Sequence, residues 1–386
     1  MKTTVHCAAA LSTVLSAGCI SSTAAPAPKT YRVYFGTTVE QAQGGIYMAL
    51  LDMQTGQLGK AVHVGQAQRA GFIAIHPDGQ HIYSTGANTE FAGVKTGAVN
   101  AFRITEPDGM LVKINTQSSG GLGPCYVSID PTGKNLLVAN YLGGSCSVLP
   151  IQPDGSLAPA SFTQKYTGSS IHPQRQTSAF THSINCDPSG RFAIVADLGM
   201  DKILSYRFDA ATGTLTPNDP PSIAIEPGGG PRHFTFHPSG KFAYADLELS
   251  NKVVAFQYDA DKGALKEIQT ISTLPAGFTG ESTTSEILTT PDGRFLYVGN
   301  RGHDSLAIFS IDPASGKLTA IGHEPTRGKI PRNFNIDPTG TYLLAANLKT
   351  NNVVVFRINR ETGLLEFTGS EIEVPAPIGI RFLAAP

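Results

Sequence analysis

The stretch GPRHFTFHPSGKFAYADLELSNKVVAFQYD, residues 230–259, decides the fold. HFTF runs through the turn HPSG into KFAYADL, and after ELSN the chain continues as KVVAFQYD. Alternating apolar positions, β-branched and aromatic residues, and Gly, Pro, Asn and Ser punctuation favour three short strands over a helix. A fourth strand, ALKEIQTI, follows the turn DADKG. One such unit cannot bury both of its faces, but a closed ring of them can.

Outward from this stretch, two anchors recur. The first is an Asp/His/Thr-Pro-x-Gly turn ending at Gly79, Gly133, Gly190, Gly240, Gly293 and Gly340, spaced 47 to 57 residues apart. The second is a Gly-x-Leu hairpin beginning at Gly56, Gly109, Gly155, Gly213, Gly263, Gly316 and Gly363. There are thus six turns and seven hairpins. YRVYFGTT, GIYMALLD and LGKAVHV near the start supply three strands without an inner one, and IGIRFLAA at the end is one strand without a blade. Together they predict an all-β, seven-bladed β-propeller of four-stranded antiparallel blades over residues 31–386. Its first blade is closed by N- and C-terminal strands, which removes exposed sheet edges.

Composition narrows the partners. The 386 residues carry 29 Lys and Arg against 30 Asp and Glu, a net charge of −1, with no long basic run. Nucleic acid is therefore not an expected partner. Residues 1–25 read as a leader: Lys2 precedes an apolar run from Cys7 to Ile20, too short to span a bilayer, and Ser22-Thr23-Ala24 resembles a cleavage site. Ser16-Ala17-Gly18-Cys19 also resembles a lipoprotein box, so the expected product is exported, periplasmic or secreted, with a lipid anchor at Cys19 left open. No later segment has transmembrane character. Cys125, Cys146 and Cys186 are odd in number and widely spaced, and indicate neither a disulfide framework nor a zinc site.

The turn glycine is a ruler for the two inner strands. Eight residues before it stand Gly71, Cys125, His182, Arg232, Ser285 and Arg332; eight after it stand Ala87, Tyr141, Leu198, Glu248, Arg301 and Leu348. Antiparallel pairing puts both sets at one mouth of the central channel. The ionisable members His182, Arg232, Glu248, Arg301 and Arg332, with Glu286 beside Ser285, are therefore expected to ring one side of it. Arg175, in the loop His172–Gln176, enters on the same face, where it either reaches the ligand or is solvated. Three arginines favour a carboxylate or phosphate. An ionised Glu248 is a candidate general base on water, and His182 a candidate for proton transfer. Hydrolysis of an activated ester such as a sugar lactone needs no more. No G-x-S-x-G elbow and no convincing metal-ligand spacing occurs. The bland readings are an Arg232–Glu248 ion pair tying one blade together, a hydrogen-bonded His182, and a connection-pinning His303.

With GPCYVSIDPTGKNLLVANYLGGS (123–145), HSINCDPSGRFAIVADLGMDKILSYRFD (182–209), GPRHFTFHPSG with Glu248, SEILTTPDGRFLYVGNRGHDS (285–305) and PRNFNIDPTG (331–340) in view, the chain resembles the seven-bladed propeller lactonase family. That family includes propeller-type 6-phosphogluconolactonase and carboxy-cis,cis-muconate lactonizing enzyme. The resemblance implies catalytic roles for His182, Arg232, Glu248 and Arg301, a small anionic or sugar-acid lactone as substrate, and no metal or organic cofactor; the repeat register and the entering loop add Arg175, Glu286 and Arg332 as substrate-binding candidates, and a monomer is expected. Phe180 stands where the family often has a first His. The leader separates the chain from cytoplasmic phosphogluconolactone, which favours an unphosphorylated lactone. A non-catalytic ligand-binding propeller and a muconate-type cycloisomerase are the alternatives.

Overall fold

The structure is a computed structural model that describes residues 1–2, 28–40 and 42–386. The leader reading, with Cys7 and the lipid-anchor candidate Cys19, falls outside the described residues beyond Lys2. Among the described residues the chain forms seven four-stranded antiparallel sheets. The sheets follow one another around a ring, and Pro377–Ala384 packs between the inner strands of the last and second blades. That terminal strand is the innermost of the first blade. It pairs with Thr30–Thr37, which continues to Gly45–Asp52 and Val62–Gln66. The ring is closed as the incomplete anchor count predicts.

Burial follows from this packing. The second strand of each blade is covered on both faces by neighbouring blades, so Phe242–Leu247 and Tyr342–Asn347 are buried throughout. Outer strands are partly exposed along their length, as Ala264–Ser272 is. The apolar clusters lie between blades, for example Tyr297 and Ile308 against Phe334, Leu343 and Phe356.

Both sequence anchors have a physical role. In the Asp-Pro-x-Gly turns the carboxylate accepts backbone N–H bonds across the turn, as Asp187 does from Arg191 and Phe192 at 2.9 Å each. At Gly56, Gly155, Gly263, Gly316 and Gly363 the hairpin glycine packs on the aromatic ring that opens the second strand of the preceding blade. At Gly263 (φ 64°) an added Cβ would lie 2.2 Å from the Phe192 ring. Gly263→Ala therefore combines left-handed backbone strain with a clash against a buried ring. A loss of about 2–3 kcal/mol is expected, read as a lower urea midpoint with unchanged slope.

A repeated irregularity positions the functional face. The inner strand carries one extra residue against its neighbour at Ile378, Cys125, His182, Arg232–His233, Ser285–Glu286 and Arg332, that is, in six of the seven blades. A β-bulge leaves a residue unpaired in the ladder and re-aims its side chain. Proline precedes the bulge as Pro124, Pro231, Pro331 and Pro377, at the start of a strand where its missing N–H costs least.

Candidate active site

The bulged residues Ile378, Cys125, His182, Arg232, His233 and Arg332 line a cavity of about 980 Å³ at one mouth of the channel. Phe72 and His233, which line the cavity, belong to an aromatic cluster. Phe72 and Tyr126 stack with centroids 4.2 Å apart, His233 meets Tyr126 edge-on at 5.0 Å, and the Arg381 guanidinium lies 4.8 Å from the Phe72 ring. Charges in such a concavity are only partly screened by water, which strengthens electrostatic interactions inside it.

One half of the wall is charged. Arg175, His182, Arg232, Glu248, Arg301 and Arg332 line it together. Ser285 and Leu198, which the ruler also selects, do not: the Ser285 hydroxyl donates to the Pro331 carbonyl at 2.6 Å, and Leu198 is fully buried. Glu286 does not reach the wall either. It lies one layer below, where its Oε1 accepts from His233 Nδ1 at 2.7 Å and its Oε2 from the Asn333 amide. The other half, from blades one to three, is uncharged except for the Arg69–Glu40 pair at 2.6 Å, and presents Thr38, Gln68 and Asn88.

Glu248 is the hub. It is 2% exposed, with Arg301 Nη2 at 2.9 Å and Arg232 Nε at 3.0 Å from Oε2, and Arg175 on Oε1. The Arg232 contact is ionic rather than a directed hydrogen bond. Burial alone would raise this carboxyl; Arg301, Arg232, His182 and Arg175 overcome it and hold the group well below the usual carboxylate range. Arg175 thus reaches the site from its loop, and Arg232 and Glu248 do form an ion pair. Arg301 is also pinned by Nη2 to the Thr284 carbonyl at 2.6 Å. His303 donates or accepts at Ser305 Oγ, 2.6 Å away, and packs on Phe278 outside the cavity.

Two groups are not so engaged. Arg332 lines the cavity half-buried and has no hydrogen-bond or ion partner among the described residues. Burial, then repulsion from Arg232 and Arg301, lowers its pKa to about 9, so it stays cationic at neutral pH. His182 is buried, and burial, then Arg232 and His233, hold it well below the usual imidazole value and therefore neutral. Its Nδ1 lies 3.8 Å from Cys125 Sγ, and Nε2 has no partner among the described residues. Cys125 itself is pushed up to about 12 by burial and stays a thiol. Phe180 stacks on Tyr141 at 4.9 Å, and Tyr141 meets His182 edge-on at 5.3 Å, so this aromatic pair is a wall behind the imidazole.

Sequence reading missed His233, which lines the cavity directly beside Arg232, and Asp246 beneath it. The buried histidine of GPRH, adjacent to an arginine already chosen, was the available signal. It also passed over His76, Asp78 and His81, whose ligand atoms lie within 4.8 Å of one another in the second blade's turn. Those atoms are engaged: Asp78 N–H donates to His76 Nδ1 at 3.2 Å, His76 Nε2 donates to Gly133 O at 2.7 Å, and His81 Nδ1 meets Asp78 Oδ2 at 2.9 Å. His237 makes the same two bonds in its own turn without an acid or second histidine, so the arrangement belongs to the blade.

The sequence profile of the family described as lactonase, seven-bladed β-propeller, matches residues 32–382. The 6-phosphogluconolactonase of Bacillus subtilis is 38% identical over 92% of this chain and 98% of its own length. That of Formosa agariphila is 35% identical over 89% and 96%. The solved structure of the periplasmic gluconolactonase of Pseudomonas aeruginosa superposes with a TM-score of 0.85 at 33% identity, covering 92% of this chain and 100% of that one. The seven-bladed fold and these matches agree, and the chain belongs to the seven-bladed β-propeller lactonase family.

Proposed function

We propose that the protein hydrolyses an aldonolactone, without a metal, by water attack within the charged half of the cavity. The observation that carries this reading is a neutral imidazole and an uncompensated guanidinium facing one cavity. Water adds to the lactone carbonyl carbon while His182 takes its proton. The oxyanion forms against Arg332, with Arg301 and Arg232 beside it. Collapse expels the ring oxygen, which takes the proton back from His182 and yields the open hydroxy acid. The low basicity that burial imposes on His182 makes its protonated form a ready donor to that leaving oxygen.

Glu248 takes a different role from the expected base. With three guanidinium groups on its oxygens it is a weak proton acceptor, and it serves as the clamp that aligns them. Thr38, Gln68 and Asn88 offer donors and acceptors for the sugar hydroxyls. An exported enzyme meeting an unphosphorylated lactone fits both the leader and the likeness to a periplasmic gluconolactonase. A 6-phosphogluconolactone substrate is the second reading, favoured by Arg332, whose free guanidinium also suits a phosphate.

The test offers gluconolactone and 6-phosphogluconolactone to the purified protein and follows acid release above the spontaneous rate. Turnover of the first, with kcat reduced about 10²–10⁴-fold in His182→Gln, is the expected result. No turnover of either lactone, or a His182→Gln variant as fast as wild type, would sink the reading.

A further inference from the structure

We propose that His233 and Glu286 are positioning residues that hold Arg232 at the reacting face through a one-directional hydrogen-bond relay, and that proton uptake by the relay releases it. The proposal rests on the lactonase reading.

The sense of each bond is fixed from the ends. Arg232 Nη1 lies 3.1 Å from His233 Nε2. A guanidinium only donates, so Nε2 presents its lone pair and the imidazole proton sits on Nδ1. That proton points at Glu286 Oε1, 2.7 Å away. Oε1 also accepts the Ile287 N–H at 3.1 Å, and Oε2 accepts the Asn333 amide. Asn333 cannot turn over, because its Oδ1 accepts the Ile380 N–H at 3.0 Å. Glu286 is thus surrounded by donors, and a proton on either oxygen displaces one of them. The chain runs from the fifth blade through the sixth and seventh to the terminal strand, and Arg232 and His233 are its members that line the cavity.

The charged and titratable groups facing Glu286 are Arg232 and His233 on Pro231–Phe236, Asp246 on Phe242–Leu247, Arg381 on Pro377–Ala384 and Tyr126 on Pro124–Ile129. Burial comes first and raises Glu286 to about 7 against Arg232 and Arg381. Asp246, which accepts the His233 backbone N–H at 2.8 Å and the Thr284 hydroxyl at 2.6 Å, is raised to about 7 by the same burial. The pair shares the positive field, and its titration is coupled. When the relay takes up one proton, the Nδ1 proton crosses to Oε1 and Nε2 takes one from the cavity. An N–H then faces the Arg232 N–H, and the guanidinium loses its alignment. The relay is engaged above neutrality and released below it.

The experiment measures kcat and KM for gluconolactone across pH in wild type, Glu286→Gln and His233→Gln, beside ¹⁵N-histidine spectra of the wild type. Wild type is expected to lose kcat as pH falls through neutrality at nearly constant KM. Both variants should lose kcat about 10–100-fold on the alkaline side and no longer show that acid limb. Variants with wild-type kcat, or with the wild-type pH profile merely scaled down, would overturn the relay. If wild type turns over no lactone, the functional reading fails instead, and the spectra still decide. One buried imidazole should carry its proton on Nδ1 at about pH 9 and on Nε2 at about pH 5. The spectra also decide if a variant does not fold, and the absence of that exchange overturns the proposal.

Discussion

Glu248→Gln is expected to abolish measurable lactone turnover and to cost the fold about 3–5 kcal/mol, the loss typical of removing one member of a buried ionic cluster. The carboxylate is the shared counter-ion of Arg175, Arg232 and Arg301, and Arg332 lies in the same wall. A neutral amide of the same shape keeps the packing but leaves the guanidinium groups to repel one another, and it adds a donor where only donors converge. The arginines then splay, and misplacement by an ångström is enough to cost about 10²-fold or more in rate. The sign with pH follows from the lowered carboxyl. Its stabilisation is complete above the ordinary carboxylate value of about 4.3 and is lost as pH falls through the lower folded value. The gap in stability between wild type and Glu248→Gln should therefore be flat from about pH 5 to 8 and narrow only in acid. Denaturant unfolding checks the first claim and acid release the second; equal midpoints or equal rates would remove Glu248 from the centre of the site.

The blades were legible because a propeller repeats its turn chemistry. Gly263 and Gly240 need the left-handed region, and only such positions recur strictly enough to count blades by. The ruler of eight residues reached Arg232, Glu248, Arg301 and Arg332 for a reason it did not contain. Six of the seven inner strands hold a bulge, and from the third blade to the seventh it falls eight residues before the turn glycine, so the irregularity shifted those blades alike. The ruler misled at Ser285 and Glu286, where the same bulge turns the serine onto the next strand and the acid down the channel. Bulges depend on how two strands meet, which no single strand's pattern records. Pro124, Pro231, Pro331 and Pro377 were the visible trace of them. How many arginines engage Glu248 was hidden for the same reason. The sequence places Glu248 near several arginines as an ionised candidate base; the third guanidinium on its oxygens comes from the loop that brings Arg175 across from another blade. The His172–Gln176 loop is held there by Gln176, which donates to Asp201 at 2.6 Å and to the Leu198 carbonyl at 2.9 Å.

Arg332→Gln should have the opposite signature, a more stable protein that works badly. Its guanidinium faces other cations without a carboxylate of its own, and its folded pKa of about 9 lies below the ordinary 12.5. Charge on this residue therefore opposes folding at neutral pH, and the opposition is relieved only as pH rises from about 9 toward 12.5. Removing it is expected to raise stability by about 1–2 kcal/mol at pH 7, a figure discounted because the group is partly exposed to cavity water. Function pays for the gain. With gluconolactone, which carries no charge until the oxyanion forms, the loss falls on kcat, about 10²–10³-fold, while KM stays near wild type. With 6-phosphogluconolactone a phosphate seated on Arg332 would put much of the loss into KM instead. The kcat-against-KM split thus identifies what the free guanidinium holds, and a variant both less stable and fully active would show that it holds nothing. An uncompensated cation beside Arg232 and Arg301 is a cost that folding alone would not retain, and it is recovered only when an anion arrives.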